Sequence, residues 1–152
     1  MEIGADGDPD WRTDHAGHAW HLSLPAKAHD YWDYSLVKGL RILVVEDDAI
    51  VGILIAEMLV AMGHEVCALE TNEADAVAAA ARHRPGLMIV DRQLREGNGG
   101  SAVQTILKSE RIPHLFITGS SRRDPSFPTS VVLRKPFREP DLVEAIGRAL
   151  AM

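Results

Sequence analysis

The stretch Arg41-Ile-Leu-Val-Val-Glu-Asp-Asp48 constrains the fold of this chain more than any other. Four apolar residues run straight into three acids. A short apolar run rich in Val and Ile predicts a strand buried on both faces of a sheet. The acids then fall at its carboxyl end, where open parallel sheets place their ligands. Carboxylates this close repel one another and call for a compensating charge, and oxygen donors suit a hard divalent cation such as Mg²⁺. The competing reading is plainer: Asp48 caps a following helix, and acids are favoured near a helix N-terminus.

The pattern after Arg41 alternates between strand and helix. A strand over 41–46 leads to a helix over 49–62, with Ile50, Ile53, Leu54, Glu57, Met58 and Ala61 at helical spacing and Gly63 at its left-handed C′ position. A second strand covers 64–69, with Val66 and Ala68 pointing one way. Cys67 is expected there as a core or half-buried thiol. Asn72 caps a helix over 73–83, whose Ala74, Val77, Ala78 and Ala81 form a close-packing face. Pro85-Gly86 breaks the chain. Leu87-Met-Ile-Val-Asp91 is a third strand, again apolar and again closed by an acid. The loop Arg92–Gly99 follows, and its glycines lack the Lys-Ser/Thr pair of a phosphate-binding P-loop. A helix over 101–109 turns Val103, Ile106 and Leu107 inward. Strands over 114–118 and 131–134 follow, then a helix over 140–151 with a stripe of Leu142, Val143, Ile146 and Leu150. This order predicts a parallel sheet covered on both faces. Glu46, Asp47, Asp91, Thr118 and Lys135 each lie at the carboxyl end of a strand. Four strand ends delivering polar groups to one crevice favour a functional site over simple capping.

Composition narrows the function. A chain of 152 residues sets one domain as the expectation. The net charge of −6 argues against nucleic-acid binding through phosphate contacts. One cysteine excludes an intrachain disulfide and a cysteine-based zinc site. Nothing approaches the roughly 20 apolar residues needed to span a bilayer, and the acidic N-terminus lacks a signal core. The expectation is a cytoplasmic protein with no membrane contact.

Residues 1–38 differ from the rest. They hold all three tryptophans, both tyrosines, four of the seven histidines, and seven acids against three bases. Their apolar residues keep no period, so they read as a mostly irregular extension with a short helical turn around 26–36. His15, His18 and His21, three apart, are either solvated histidines on a loose segment or one face of a metal site.

Val-Val-Glu-Asp-Asp48, Ile-Val-Asp91, Ile-Thr-Gly119 and Arg-Lys-Pro-Phe137, in that order, resemble the receiver domain of two-component response regulators. The resemblance covers 41–151, within a unit taken as 39–152. It implies a flavodoxin-like, doubly wound, five-stranded parallel sheet of order 2-1-3-4-5. It implies that Asp91 accepts a phosphoryl group from a sensor histidine kinase or a histidine phosphotransfer protein. Glu46, Asp47, Asp91 and the backbone carbonyl of Gln93 then hold Mg²⁺. Thr118 bonds a phosphoryl oxygen, Lys135 pairs with another, and Lys135–Pro136 is cis. Such a chain is a signalling domain with, at most, slow self-dephosphorylation, and not an enzyme.

Three departures stand out. The interval Gly119–Ser130 carries Pro125 and Pro128 and has Phe127 as its one large apolar residue, so it predicts a loop or a single turn where receivers have a fourth helix. Val132 stands where the family has a switch aromatic, and Arg95 where it commonly has proline. Phe116-Ile-Thr-Gly119 resembles a divergent single-domain group with a Phe-Ala-Thr-Gly-like fourth strand. Arg92, Arg95, Arg122 and Arg123 either steer an acidic partner or phosphate, or simply solubilise their loops. No output domain or DNA-binding helix pair is recognisable, so the expected output is contact with an unknown downstream protein, or a phosphate shuttle or sink. Homodimerisation is left open. Two rivals remain: an interaction module that ignores phosphorylation, and a Mg²⁺-dependent phosphohydrolase using Asp91.

Overall fold

The computed structural model describes residues 39–152, together with a two-residue antiparallel ladder pairing Arg12 with Trp20 and Thr13 with Ala19. The chain divides into two units, Met1–Asp33 and Tyr34–Met152. The expected turn around 26–36 and the His15, His18 and His21 set lie outside the described residues.

The second unit builds β1 (Arg41–Val45), α1 (Ala49–Ala61), β2 (Glu65–Glu70), α2 (Glu73–His83), β3 (Leu87–Asp91), α3 (Gly99–Leu107), β4 (His114–Thr118), β5 (Val131–Arg134) and α4 (Glu139–Leu150). The strands are all parallel and pair in the order β2-β1-β3-β4-β5. Alternation along each strand sends side chains to two cores. Ile42, Val44, Leu87, Ile89, Leu115 and Ile117 pack under α1 and α4. Leu43, Val45, Met88, Val90 and Phe116 pack under α2 and α3. This is the flavodoxin-like arrangement, with helices on both faces of the sheet.

Local chemistry sets the element ends. Asp48 Oδ1 accepts from the Ile50 and Val51 N–H groups at 3.0 and 3.1 Å, and Asn72 Oδ1 from Asp75 N–H at 2.9 Å. Gly63, at φ +90°, follows the α1 C-cap in the left-handed region that only glycine enters freely. Asn98 caps α3 through Ser101 N–H, so that helix starts two residues before its expected first turn. Between β4 and β5 there is no helix, only turns. Arg92 and Phe127 anchor that loop: Arg92 Nη1 donates to the Arg122 carbonyl at 3.3 Å, and the Phe127 ring meets Phe116 edge-on at 4.8 Å.

Three packing expectations fail. In α1 the buried residues are Gly52, Ile55 and Leu59, whereas Ile50, Ile53 and Leu54 are more than half exposed. Apolar residues stand all round this helix, so spacing selects no single face. In α2 the buried face is Ala76, Ala79 and Ala80, while Ala74, Ala78 and Ala81 are exposed. Alanine occupies both sides, and periodicity is again silent. In β2 the ladder pairs Ile42 with Val66 and then Leu43 with Ala68, skipping Cys67. That bulge puts Val66 in one core, with Ala68 beside Cys67 in the other. Among the described residues, no helix is long and apolar enough to cross a membrane.

Leu59→Ala should open a cavity and cost about 2–5 kcal/mol, whereas Leu54→Ala should change stability by no more than about 0.5 kcal/mol. Urea unfolding of the two variants checks this, and equal losses would return α1 to the other face. A second expectation concerns pH. Burial holds His114 and His64 below their ordinary value of 6.5, so folding favours the neutral rings. Their contribution is fully present above pH 6.5 and is lost as pH falls through 6.5 toward the folded values. The thermal midpoint of the native chain should therefore fall between neutral and mildly acidic pH, and more steeply than that of His114→Gln. Identical slopes would contradict this.

Candidate functional site

The site is built from strand ends, because a parallel sheet directs every strand's carboxyl end to the same edge. Glu46 follows β1 and extends its ladder, its N–H donating to the Glu70 carbonyl at 2.9 Å. Asp91 closes β3. Thr118 closes β4, one residue beyond Ile117, the partner of Asp91 in the ladder. Lys135 follows β5 and is tied to β4 through its N–H on the Thr118 carbonyl at 2.8 Å. The Lys135–Pro136 peptide bond is cis.

Glu46, Asp91 and Thr118 are buried, at 1%, 5% and 3% exposure. Lys135 Nζ donates to Glu46 Oε2 at 2.7 Å and to Asp91 Oδ2 at 2.8 Å. The remaining oxygens of both acids are also held: Glu46 Oε1 accepts from Asp48 N–H at 3.0 Å and Asp91 Oδ1 from Gln93 N–H at 2.9 Å. Asp47, half-buried, accepts from Arg95 N–H at 3.1 Å and lies 3.4 Å from its Nε. Thr118 Oγ1 accepts from Ser120 N–H at 3.0 Å.

Burial pushes the Glu46 carboxyl above its ordinary range, against the lowering pull of Lys135 and of the Asp48 N–H. Burial also acts to lower the Lys135 ammonium, but its hydrogen bonds to Asp91 and Glu46 outweigh that and hold it above its usual value. Lys135 is therefore charged at neutral pH, and together with the Asp48 N–H it favours the ionised form of Glu46 against the opposing effect of burial.

Glu46, Asp47 and Asp91 each offer an oxygen within 4.8 Å of the others. Three carboxylates of this hardness, one desolvated enough to resist ionising, fit a small divalent cation such as Mg²⁺. Gln93 stands next to them through its N–H on Asp91 and its isolated bridge to Asn98.

Sequence reading placed the acids and Lys135 together, but missed the parts that brace them. Glu73 bonds Asn98 N–H and the Ser101 hydroxyl, pinning the loop after Asp91 to α2. A Cβ on Gly99 would collide with the Asp91 carbonyl oxygen, so only glycine lets α3 start against the end of β3. The glycine cluster at Gly97, Gly99 and Gly100, just past an acid-ended strand, was the available signal. Arg92 also departs from expectation. It is buried rather than flanking the acids, its guanidinium lying 5.0 Å over the Phe116 ring and 3.2 Å from Asp124.

Comparison with known proteins agrees with this geometry. The profile of the response regulator receiver domain matches residues 42–147. The phyllosphere-induced regulator PhyR of Methylorubrum extorquens is 30% identical over 119 residues, spanning 72% of this chain and 43% of that protein. The transcriptional regulatory protein PdtaR of Mycobacterium tuberculosis is 31% identical over 116 residues, spanning 73% of this chain and 57% of that one. The chain thus spans about half the length of these curated relatives. The solution structure of the Erythrobacter litoralis PhyR receiver domain superposes with a TM-score of 0.67 at 26% identity, over 77% of this chain and 94% of that one. The chain belongs to the response regulator receiver domain family.

Proposed function

We propose that this receiver takes a phosphoryl group on Asp91 from a histidine kinase or a histidine phosphotransfer protein, in the cytoplasm, and signals through the resulting change in its protein contacts. Residues 39–152 form the receiver unit in this reading, and residues 1–38 an extension to it. One observation carries the proposal: the Lys135 ammonium lies within 2.8 Å of two buried carboxylates, with a third acid alongside. A lysine held this way stabilises the site before any substrate arrives and has donors ready for a transferred group.

The chemistry follows from charge. An Asp91 oxygen attacks phosphorus in line, the P–N bond to the donor imidazole breaks as the new P–O bond forms, and the bonding pair returns to that nitrogen, so a donor ring already protonated on its other nitrogen leaves as neutral imidazole. Glu46, Asp47, Asp91 and the Gln93 carbonyl would hold Mg²⁺, which when bound would supply positive charge against the approach of one anion to another. Lys135 exchanges its bond to Asp91 for one to a phosphoryl oxygen. Thr118, whose hydroxyl now accepts from Ser120, turns to donate to another. That turn is the local event from which a population shift spreads. The exposed Ile50, Ile53 and Leu54 begin beside the acid cluster and support a protein as the phosphoryl donor rather than a small ester.

Incubation with acetyl phosphate and Mg²⁺ should add one phosphoryl group to the full chain, read by intact mass. Asp91→Asn should abolish the addition, and Lys135→Ala should slow it about 100-fold. Chelation of the metal should slow it comparably. Continued turnover of acetyl phosphate without modified chain would contradict the proposal and point to a hydrolase. Labelling that survives in Asp91→Asn would contradict it as well.

A further inference from the structure

The missing helix between β4 and β5 leaves a groove of about 430 Å³ beside β5. Arginines from four elements face it: Arg92 after β3, Arg122 and Arg123 in the loop, Arg134 on β5 and Arg148 on α4. Asp124 is the one acid on its wall. Five cations to one anion reverses the charge balance of a chain whose net charge is −6. Within the described residues, no carboxylate lies within ion-pairing distance of Arg122, Arg123, Arg134 or Arg148.

Loop arginines alone would amount to solubilising charge. Arg92 separates the two readings. It is 9% exposed, its Nε meets no acceptor among the described residues, and its Nη2 approaches Asp124 at 3.2 Å without hydrogen-bonding alignment. A buried guanidinium costs free energy unless its donors are used, and this one lines a groove of its own charge. The rest of the wall carries serine and threonine hydroxyls and one apolar strip of Phe127, Pro128 and Val132, the last 41% exposed. Carboxylates bind guanidinium forks in paired geometry, and an apolar side chain can seat on such a wall between them.

We propose that this groove binds an acidic segment of a partner protein carrying an apolar anchor. Carboxylates of the segment pair with Arg134, Arg148 and the loop arginines, and one of them displaces Asp124 from Arg92. A nucleic-acid backbone is the poorer match, since the basic surface is one short groove on an acidic chain. Thr118 also lines the groove, so its occupant adjoins the acid cluster. The assignment goes beyond phosphoryl transfer, and its test uses the unphosphorylated chain without Mg²⁺, so the two can fail separately.

The experiment is fluorescence anisotropy on the full chain with a labelled short peptide of glutamates around a central leucine. Its Glu-to-Gln counterpart and a single-stranded oligodeoxythymidine of equal charge serve as comparison probes. The Glu peptide should bind at least about tenfold tighter than the Gln peptide and should weaken as salt rises, because the contacts are charge pairs. The exposed double variant Arg134→Glu/Arg148→Glu, with its folding checked by circular dichroism, should lose about tenfold or more in affinity. Equal binding of the Glu and Gln peptides overturns the proposal. So does undiminished binding by the folded double variant. Tighter binding of the oligonucleotide overturns it in favour of nucleic acid.

Discussion

One ammonium between two buried carboxylates is the constraint on which the rest of the molecule depends. Lys135 and Glu46 are 89 residues apart in sequence, and Lys135 and Asp91 are 44 apart. Their meeting at 2.7 and 2.8 Å needs β1, β3 and β5 to run parallel, in order and in register, with their carboxyl ends level. Burying Glu46 at 1% exposure is unfavourable by itself, and removing Lys135 would leave that acid without its cation. The site and the sheet therefore hold each other in place: the sheet sets the distances, and the ion pairs make the acid-rich edge tolerable.

The two sides of the site are braced differently. On the β1–β3 side the bracing is backbone and cap chemistry: Asp48 N–H on Glu46, Gln93 N–H on Asp91, and the Glu73 clamp on the loop that Gly99 allows to close. On the β4–β5 side no helix connects the two strands, and side chains of the connecting loop do the work. Arg92 lies over Phe116, Phe127 packs on the same ring, and Asp124 reaches back to Arg92. Such a loop has fewer backbone bonds to break than a helix.

Much of this was readable from residues because strands with acid or polar ends leave few options. Ile42–Val45 and Leu87–Val90 are apolar throughout and short, and both proved to be buried in parallel strands. Pro125 and Pro128 correctly predicted the loss of a helix, since ring geometry and a missing donor act locally. What failed was phase. α1 is apolar on every side and α2 is alanine on both, so the buried faces at Ile55 and Leu59, and at Ala76 and Ala80, were decided by packing against the sheet. The bulge at Cys67 and the burial of Arg92 likewise depend on neighbours distant in sequence. Periodicity reports one element at a time and carries no trace of them.

The central claim is that these strand ends make one cation-binding acid cluster. Paramagnetic line broadening of backbone amide resonances by substoichiometric Mn²⁺ tests it most directly. The account predicts selective loss of Asp47, Asp91, Arg92 and Gln93 signals, with His83 and the far ends of β4 and α4 left sharp. Broadening centred on another group of acids, or spread evenly over the chain, would contradict it.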